Sequence, residues 1–550
     1  MYNPVAEVNM TYISGAEALT TLLIQEGVEV VFGIPGVQIM AAVDAIYRSN
    51  KIRWISTRHE QTAAYMAYGY ARATGRTGVA MVLPGPGALN TTAAIGTAYS
   101  ASTPVLLISG QIESYYLGLN KGVLHQLDEQ MDIFQRLTKW CGRVSKTEEI
   151  PIILSQAFRQ LKTGRPRPVE IEVPYDLWTK KTEMSLSTSV PMPPEPPFRN
   201  EIEKATELLE KARRPVILAG GGAAKSGISS EVTRLAERLK APVVMTTEGQ
   251  GSIHCNHPLC CGNFILWTNP VFNKADVVIA IGTRMRASGN TKLILRDDQK
   301  IVQIDIDPGE LGRNHKIDVG IAADAHNVLT ALLDELPDLS ASQWTEDEIA
   351  EIRSEIKSRL EKAAPIQMAI IRSINDILKD NSVVVADITN IGYWSDIAYQ
   401  VNEPHTYIDS SYFATLGFAF PTALGAKTGN PDKNVVALCG DGGFPYAATE
   451  LATAIQEGIN VVTIIFTDNA YGTVTGIQRR EFGGRYVGNR LHNPDYVKFA
   501  ESFGAVGIRC GTHEELGEKL KEALAADCPV VIEVPVPQMD TPWDTLIENS

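Results

Sequence analysis

Short β-branched runs that end in or near glycine alternate with alanine- and leucine-rich stretches along the whole chain. The runs Val79–Leu83, Val105–Ser109 and Val169–Val173 come early, Val216–Ala219 and Val277–Ile281 in the middle, and Val435–Leu438, Val461–Phe466 and Val530–Val534 late. Each has the length and apolar continuity of a strand buried on both faces, and the stretches between them are long enough for helices. The pattern predicts an α/β protein of doubly wound parallel sheets. A shorter strand, Trp54–Ser56, is predicted to lead through Thr57-Arg58-His59-Glu60-Gln61 into an alanine-rich helix that runs through Tyr70.

Two shifts in composition divide the chain: the proline-dense Pro191–Pro197, and an acidic, helix-prone segment from Asp334 to about Lys362. They give a first domain over residues 1–185, a proline-rich linker over 186–199, a middle domain over 200–340, a helical linker over 341–364 and a third domain over 365–550. The outer domains share landmarks. Thr74-Gly75 leads into Val79–Leu83 and Gly85-Pro86-Gly87, as Thr428-Gly429 leads into Val435–Leu438 and Gly440-Asp441-Gly442. Both also close on nearly the same strand, Pro168–Pro174 and Pro529–Pro535. They read as a diverged duplication of one unit around a different, dinucleotide-binding-like middle domain, whose strand ends carry Gly220-Gly221-Gly222, Gly282-Thr283-Arg284 and Asp305-Ile306-Asp307-Pro308.

The length of 550 residues agrees with three domains of roughly 150–200 residues each. Fifty basic against 64 acidic side chains, a net charge of −14, opposes general attraction to nucleic acid or to an anionic membrane. Small molecules and further copies of the chain are the expected partners. Seven irregularly spaced cysteines read as reduced thiols of a cytoplasmic protein. Met1 to Gly15 shows no secretory pattern, and no apolar run reaches the ~18 residues of a membrane span.

Gly440-Asp441-Gly442 follows a predicted buried strand, and Thr467-Asp468-Asn469-Ala470-Tyr471-Gly472 follows the next one. Glycines at such a strand end let backbone N–H groups approach a phosphate at a helix N-terminus. Asp441 and an oxygen donor from the second strand end supply the hard ligands that magnesium prefers, so a diphosphate with Mg²⁺ is the natural occupant. Glu60 reads in two ways: as a first-turn carboxylate that favours the helix dipole, or as a partly buried acid that exchanges a proton with a heterocycle.

Arg58-His59-Glu60-Gln61 with Gly69–Gly75, Gly85-Pro86-Gly87-Ala88-Leu89-Asn90 and the Gly-Asp-Gly segment together resemble the acetolactate synthase-like family of thiamine-diphosphate enzymes. Thr163-Gly164-Arg165-Pro166, Ala219–Gly222 and Thr415-Leu416-Gly417-Phe418 extend the resemblance nearly from end to end. It implies a pyrimidine-binding first domain, a diphosphate-binding third domain, and sites built between two chains of a homodimer or homotetramer. By that resemblance Glu60 bonds the pyrimidine ring nitrogen and favours its imino form, so that the cofactor's amine can remove the C2 proton. Leu416 would wedge the cofactor into its bent form, and the Ala414 carbonyl would accept from its amine. Gly36, Pro86, Asn90, Thr389, Asn390, Gly440, Gly442, Gly443, Tyr471 and Gly472 fall on further cofactor-binding positions. The metal ligands would be Asp441, Asp468 and the Ala470 carbonyl, with Asp468 favoured over Asn469 by its spacing although most relatives carry asparagine there.

The substrate pocket is expected to include Gly33–Gln38 and Leu124-His125-Gln126, with His125 and Gln126 as reacting groups. His125 could be an acid/base, an oxyanion donor or a structural surface histidine. Relatives that join two 2-oxo acids often have phenylalanine at 125 and tryptophan near Ile477, and these departures count against branched-chain amino-acid synthesis. The middle domain of relatives holds FAD, a CoA/ADP-type nucleotide, or nothing. Met285-Arg286-Ala287 lacks the acidic pair often found in the FAD-bearing members, so FAD, like a CoA/ADP nucleotide, stays an open alternative there and not the expectation. His254–Cys261 packs zinc-ligand residue types too tightly for the usual ligand spacing.

The leading expectation is a lyase or transferase that acts on a 2-oxo acid, a decarboxylase/carboligase. The alternatives are a 2-hydroxyacyl-CoA or 1,2-diketone lyase, whose CoA lid the short tail beyond Pro535 disfavours, and a flavin-linked 2-oxo-acid oxidoreductase.

Overall fold

The β-branched runs become the central strands of three six-stranded sheets in which every neighbouring pair is parallel. The computed structural model describes residues 10–186, 195–263, 269–286, 293–337, 341–378 and 381–546. The first sheet contains β1 (Val30–Gly33), β2 (Arg53–Ser56), β3 (Gly78–Val82), β4 (Val105–Gln111), β5 (Trp140–Arg143) and β6 (Val169–Pro174), in the order β2-β1-β3-β4-β6-β5. The middle sheet contains β7 (Pro215–Ala219), β8 (Val243–Met245), β9 (Cys260–Asn263), β10 (Val277–Ile281), β11 (Lys300–Asp305) and β12 (Val319–Ala322), in the order β9-β8-β7-β10-β11-β12. The third contains β13 (Ser382–Ala386), β14 (Tyr407–Ile408), β15 (Asn434–Gly440), β16 (Val462–Thr467), β17 (Val506–Arg509) and β18 (Val530–Pro535), in the order β14-β13-β15-β16-β18-β17.

The outer sheets therefore share one winding, second-first-third-fourth-sixth-fifth, which is the duplication read from their landmarks. The middle sheet has the dinucleotide-fold order, third-second-first-fourth-fifth-sixth. All five residues of β3, β7, β10 and β13 are buried, as expected of parallel strands with helices on both faces. The acidic segment before the third sheet forms a helix, Glu346–Ala363, which Thr345 caps by accepting from the Glu348 N–H. Residues 191–194 of the proline-dense stretch and Ala287 lie outside the described residues.

By contacts the chain forms two compact units. One gathers the first sheet with Tyr412–Asn430 and Ala447–Ile459, and the other gathers the middle and third sheets. The reason lies in two helices, α1 (Glu60–Thr74) and α3 (Ala419–Gly429). Residues 62–73 of α1 and 419–426 of α3 are buried without interruption, so each helix is covered on every side. They cross at reciprocal glycines. A Cβ on Gly69 would stand 1.9 Å from the Thr422 carbonyl oxygen, and one on Gly425 would stand 1.9 Å from that of Met66. Only the missing side chains allow this approach.

Candidate active site

In the first unit the chain leaves β1 towards β2 on one side and β3 towards β4 on the other, although β1 and β3 are paired. A crevice opens at the carboxyl ends of the strands where the winding reverses, the usual ligand position in such sheets. The loops after β1 and β3 meet there, with a Cβ on Gly36 falling 2.5 Å from Leu83 Cδ1. Glu60 is the first residue of α1, half-buried, after His59 in extended conformation. Asn90 Nδ2 donates to Glu60 Oε2 at 2.9 Å, and Gly87 leaves room for the other carboxylate oxygen. The turn before Glu60 is pinned by fully buried Glu450, which accepts from the Arg58 N–H at 2.8 Å, Thr62 Oγ1 at 2.5 Å and Thr453 Oγ1 at 2.6 Å.

Pro86 opens the short helix Pro86–Asn90 behind Gly85, whose φ of +59° favours glycine. The Gly85 N–H donates to Oε1 of buried Gln130 at 2.7 Å, and Gln130 Nε2 donates to Glu172 Oε1 at 3.0 Å and Ser109 Oγ at 3.2 Å. Glu172 Oε2 also accepts from Arg143 Nε at 2.6 Å and from Gln111 Nε2 at 3.4 Å. Burial, and then the neighbouring Glu172, push the Glu170 carboxyl well above the usual range. The crevice floor therefore rests on a buried acid pair with the Arg143 guanidinium at its edge.

His125 joins this crevice through its backbone, since a Cβ on Gly85 would fall 2.5 Å from the His125 carbonyl oxygen. Gln126, expected among the reacting groups, bonds its own loop through its side-chain amide. Oε1 accepts from the Gly122 and Val123 N–H groups at 2.8 and 3.2 Å, and Nε2 donates to Asp128 at 2.9 Å. Ala414, exposed with φ +53°, and half-buried Leu416 belong to this same unit. Thr415 between them is tied to Tyr65 Oη at 2.7 Å and to Thr97 Oγ1 at 3.2 Å.

In the second unit the same reversal falls between β13 and β15. Residues 441–443 form a turn, and the helix N-termini at this crevice belong to α2 (Asn390–Ala398) and α4 (Gly472–Glu481). Their N-cap residues are Thr389 and Tyr471, and neither caps its helix with a side chain. A Cβ on Gly440 would lie 2.8 Å from Thr389 Oγ1, and one on Gly442 would lie 2.7 Å from the Tyr471 ring. Two open helix ends thus flank a glycine-lined turn, as an anion requires. Asn390 offers only backbone to such an anion, because its Nδ2 donates to the Met539 and Asp540 carbonyls at 2.9 and 3.1 Å.

Asp441 is buried at the end of β15, and its Oδ2 accepts from the Asn469 N–H and from Asn493 Nδ2, both at 2.7 Å. Tyr496 Oη bonds the Asp441 carbonyl at 3.2 Å and Asn493 Oδ1 at 3.3 Å. Asn469 takes φ +56°, and its Oδ1 accepts from Asn493 Nδ2 at 3.1 Å. Burial first, and then the charge of Asp441, raise the Asp468 carboxyl to about 6, and burial also raises that of Asp441. Two neighbouring carboxylates with raised proton affinity suit a hard divalent cation.

Sequence reasoning missed Gln130, Glu450, Asn493 and Tyr496. None stands in a motif, and each acts on a residue that does.

Against known proteins, residues 13–134, 202–332 and 387–534 match the N-terminal TPP binding domain, the central domain and the C-terminal TPP binding domain of thiamine pyrophosphate enzymes. A probable acetolactate synthase large subunit of Methanocaldococcus jannaschii is 36% identical over 547 residues, which is 95% of this chain and 92% of the relative. The acetolactate synthase isozyme 3 large subunit of Escherichia coli is 32% identical, covering 94% and 93%. A probable 2-ketoarginine decarboxylase of Pseudomonas aeruginosa is 32% identical, covering 95% and 94%. With both TPP-binding domains matched, and with the two crevices built on one winding, the chain belongs to the acetolactate synthase-like family of thiamine-diphosphate enzymes.

Proposed function

We propose that this protein is a 2-oxo-acid decarboxylase/carboligase that uses thiamine diphosphate with Mg²⁺, in the cytoplasm, as a homodimer or homotetramer. The observation that carries this reading is the pairing of Asp441 and Asp468 beside the open N-termini of α2 and α4. Thiamine diphosphate, when bound, supplies the nucleophilic carbon and the electron sink for cleavage or formation of a bond next to a carbonyl. The chain's part is to hold and to move protons. Asp441, Asp468 and the Ala470 carbonyl would hold Mg²⁺, and the N–H groups at Gly442, Gly443 and Gly472 would meet the phosphates. Glu60 would hold a proton at the pyrimidine, kept in place by Asn90, and His125 would serve the substrate.

The middle domain is read as holding neither FAD nor a CoA/ADP nucleotide. Glu248 stands against Gly221 in the glycine turn, paired with Lys225 at 3.1 Å, where its carboxylate would meet the pyrophosphate of a dinucleotide. The free state of all seven cysteines supports the cytoplasmic assignment.

The deciding experiment offers the holoenzyme a panel of 2-oxo acids, including pyruvate and 2-ketoarginine, beside diketones and 2-hydroxyacyl-CoA esters. Carbon dioxide release from a 2-oxo acid is the expected result. Cleavage confined to the esters or diketones would replace the reading by the lyase alternative. Asn493→Ala should weaken binding of Mg²⁺ and thiamine diphosphate by about 10–100-fold, the usual effect of losing a residue that orients a metal ligand. Calorimetry measures this directly, and an unchanged Kd would remove Asn493 from the role.

A further inference from the structure

Gln38 ends the loop after β1 and is 5% exposed. Its backbone carbonyl accepts from the indole N–H of fully buried Trp178 at 2.9 Å, which fixes where its side chain starts. The side-chain amide then meets the 124–125 segment twice: Nε2 donates to the Leu124 carbonyl at 3.2 Å, and Oε1 lies 3.2 Å from His125 Nδ1. A carbonyl oxygen can only accept, so the end of the amide that faces Leu124 must be the NH₂ group. The reverse orientation would set two acceptors against each other. Oε1 is therefore the end at the imidazole, and because it too can only accept, Nδ1 must carry a proton.

We infer that Gln38 is a positioning residue that fixes neutral His125 as the Nδ1–H tautomer, leaving Nε2 as a proton acceptor for a hydroxyl-bearing substrate or adduct. This rests on the reading above that His125 serves the substrate. Nε2 has no partner among the described residues. A neutral ring held this way cannot act as an oxyanion donor. It takes the proton of an alcohol, so that the O–H bond breaks as the Nε2–H bond forms, and only the resulting imidazolium can return a proton to oxygen or carbon. The group it favours is thus a hydroxyl beside the bond being made or broken, as in a 2-hydroxy ketone.

The backbone agrees with a built position. His125 has φ +64°, a conformation that a non-glycine residue keeps only when its surroundings impose it. Gly85 pressed against its carbonyl and the Gln126 amide closing the preceding turn are those surroundings.

The test needs no substrate. In holoenzyme labelled with ¹⁵N-histidine, the His125 ring is assigned by its disappearance in His125→Gln. The expected spectrum shows a protonated Nδ1 and an unprotonated Nε2 in the neutral ring. Gln38→Leu should lose that single tautomer. Gln38→Glu, which keeps an acceptor at the same place, should retain it. A proton on Nε2 in the wild type, an unchanged signature in Gln38→Leu, or transfer of the proton to Nε2 in Gln38→Glu would each overturn the inference. If the expected spectra appear while no 2-oxo acid is turned over, the positioning role stands and the proposed activity falls.

Discussion

Replacing Glu60 by glutamine is expected to slow hydrogen–deuterium exchange at C2 of bound thiamine diphosphate by about 10²–10⁴-fold, the usual cost of losing a positioned acid/base. The amide keeps the size of the carboxylic acid and can still meet Asn90 across 2.9 Å, so the packing around Gly87 survives. What it loses is the ability to give and take back a proton. A carboxylate that only favoured the dipole of α1 would show a different result, a loss of about 0.3–1 kcal/mol in stability with exchange unaltered. NMR after acid quench reads the exchange, and a thermal melt of the same sample reads the stability. Exchange at the wild-type rate with a lowered melting temperature would make Glu60 structural and end the proposed chemistry at its first step.

Asp441→Ala is expected to abolish cofactor binding at working concentrations, a loss beyond the roughly 10–100-fold that follows removal of an orienting residue such as Asn493. The substitution removes a hard ligand and strands the Asn469 N–H and the Asn493 amide that now bond it. Asp468→Asn should keep most of the affinity, because an amide oxygen still serves a magnesium ion. Calorimetry with the cofactor before and after chelation separates the two variants. Binding that ignores EDTA, with no metal found on elemental analysis, would sink the assignment. The same variant tests the assembly. If Glu60 of one chain works with Asp441 of another, mixing Glu60→Gln with Asp441→Ala subunits restores activity through one intact site per hybrid dimer. Full activity in a species that sediments as a monomer would defeat this.

The strands were legible because a strand covered on both faces must be apolar throughout, and a run such as Val277–Ile281 has no other stable use. The glycine and aspartate motifs were legible because backbone that must approach a phosphate tolerates few residues. The supporting bonds were not. Glu450 reaches Arg58 across 392 positions and Gln130 reaches Gly85 across 45, and nothing in a local pattern marks a glutamate or glutamine as the partner of a distant N–H. The helix ends beside Gly-Asp-Gly were not legible for a related reason. They come from two other crossovers, which converge only because β13, β15 and β16 lie side by side.

The crossing of α1 and α3 has a consequence for how the protein is made. Gly69 leaves the ribosome about 355 residues before Gly425, and at roughly 5–20 residues per second the interval lasts about 18–70 s. Through that time the first sheet exists without the helix that fills the groove beside Met66 and Gly69, and the nascent chain carries an apolar seam open to any sticky neighbour. The order of synthesis therefore holds the amino-terminal unit incomplete until its distant helix has been made.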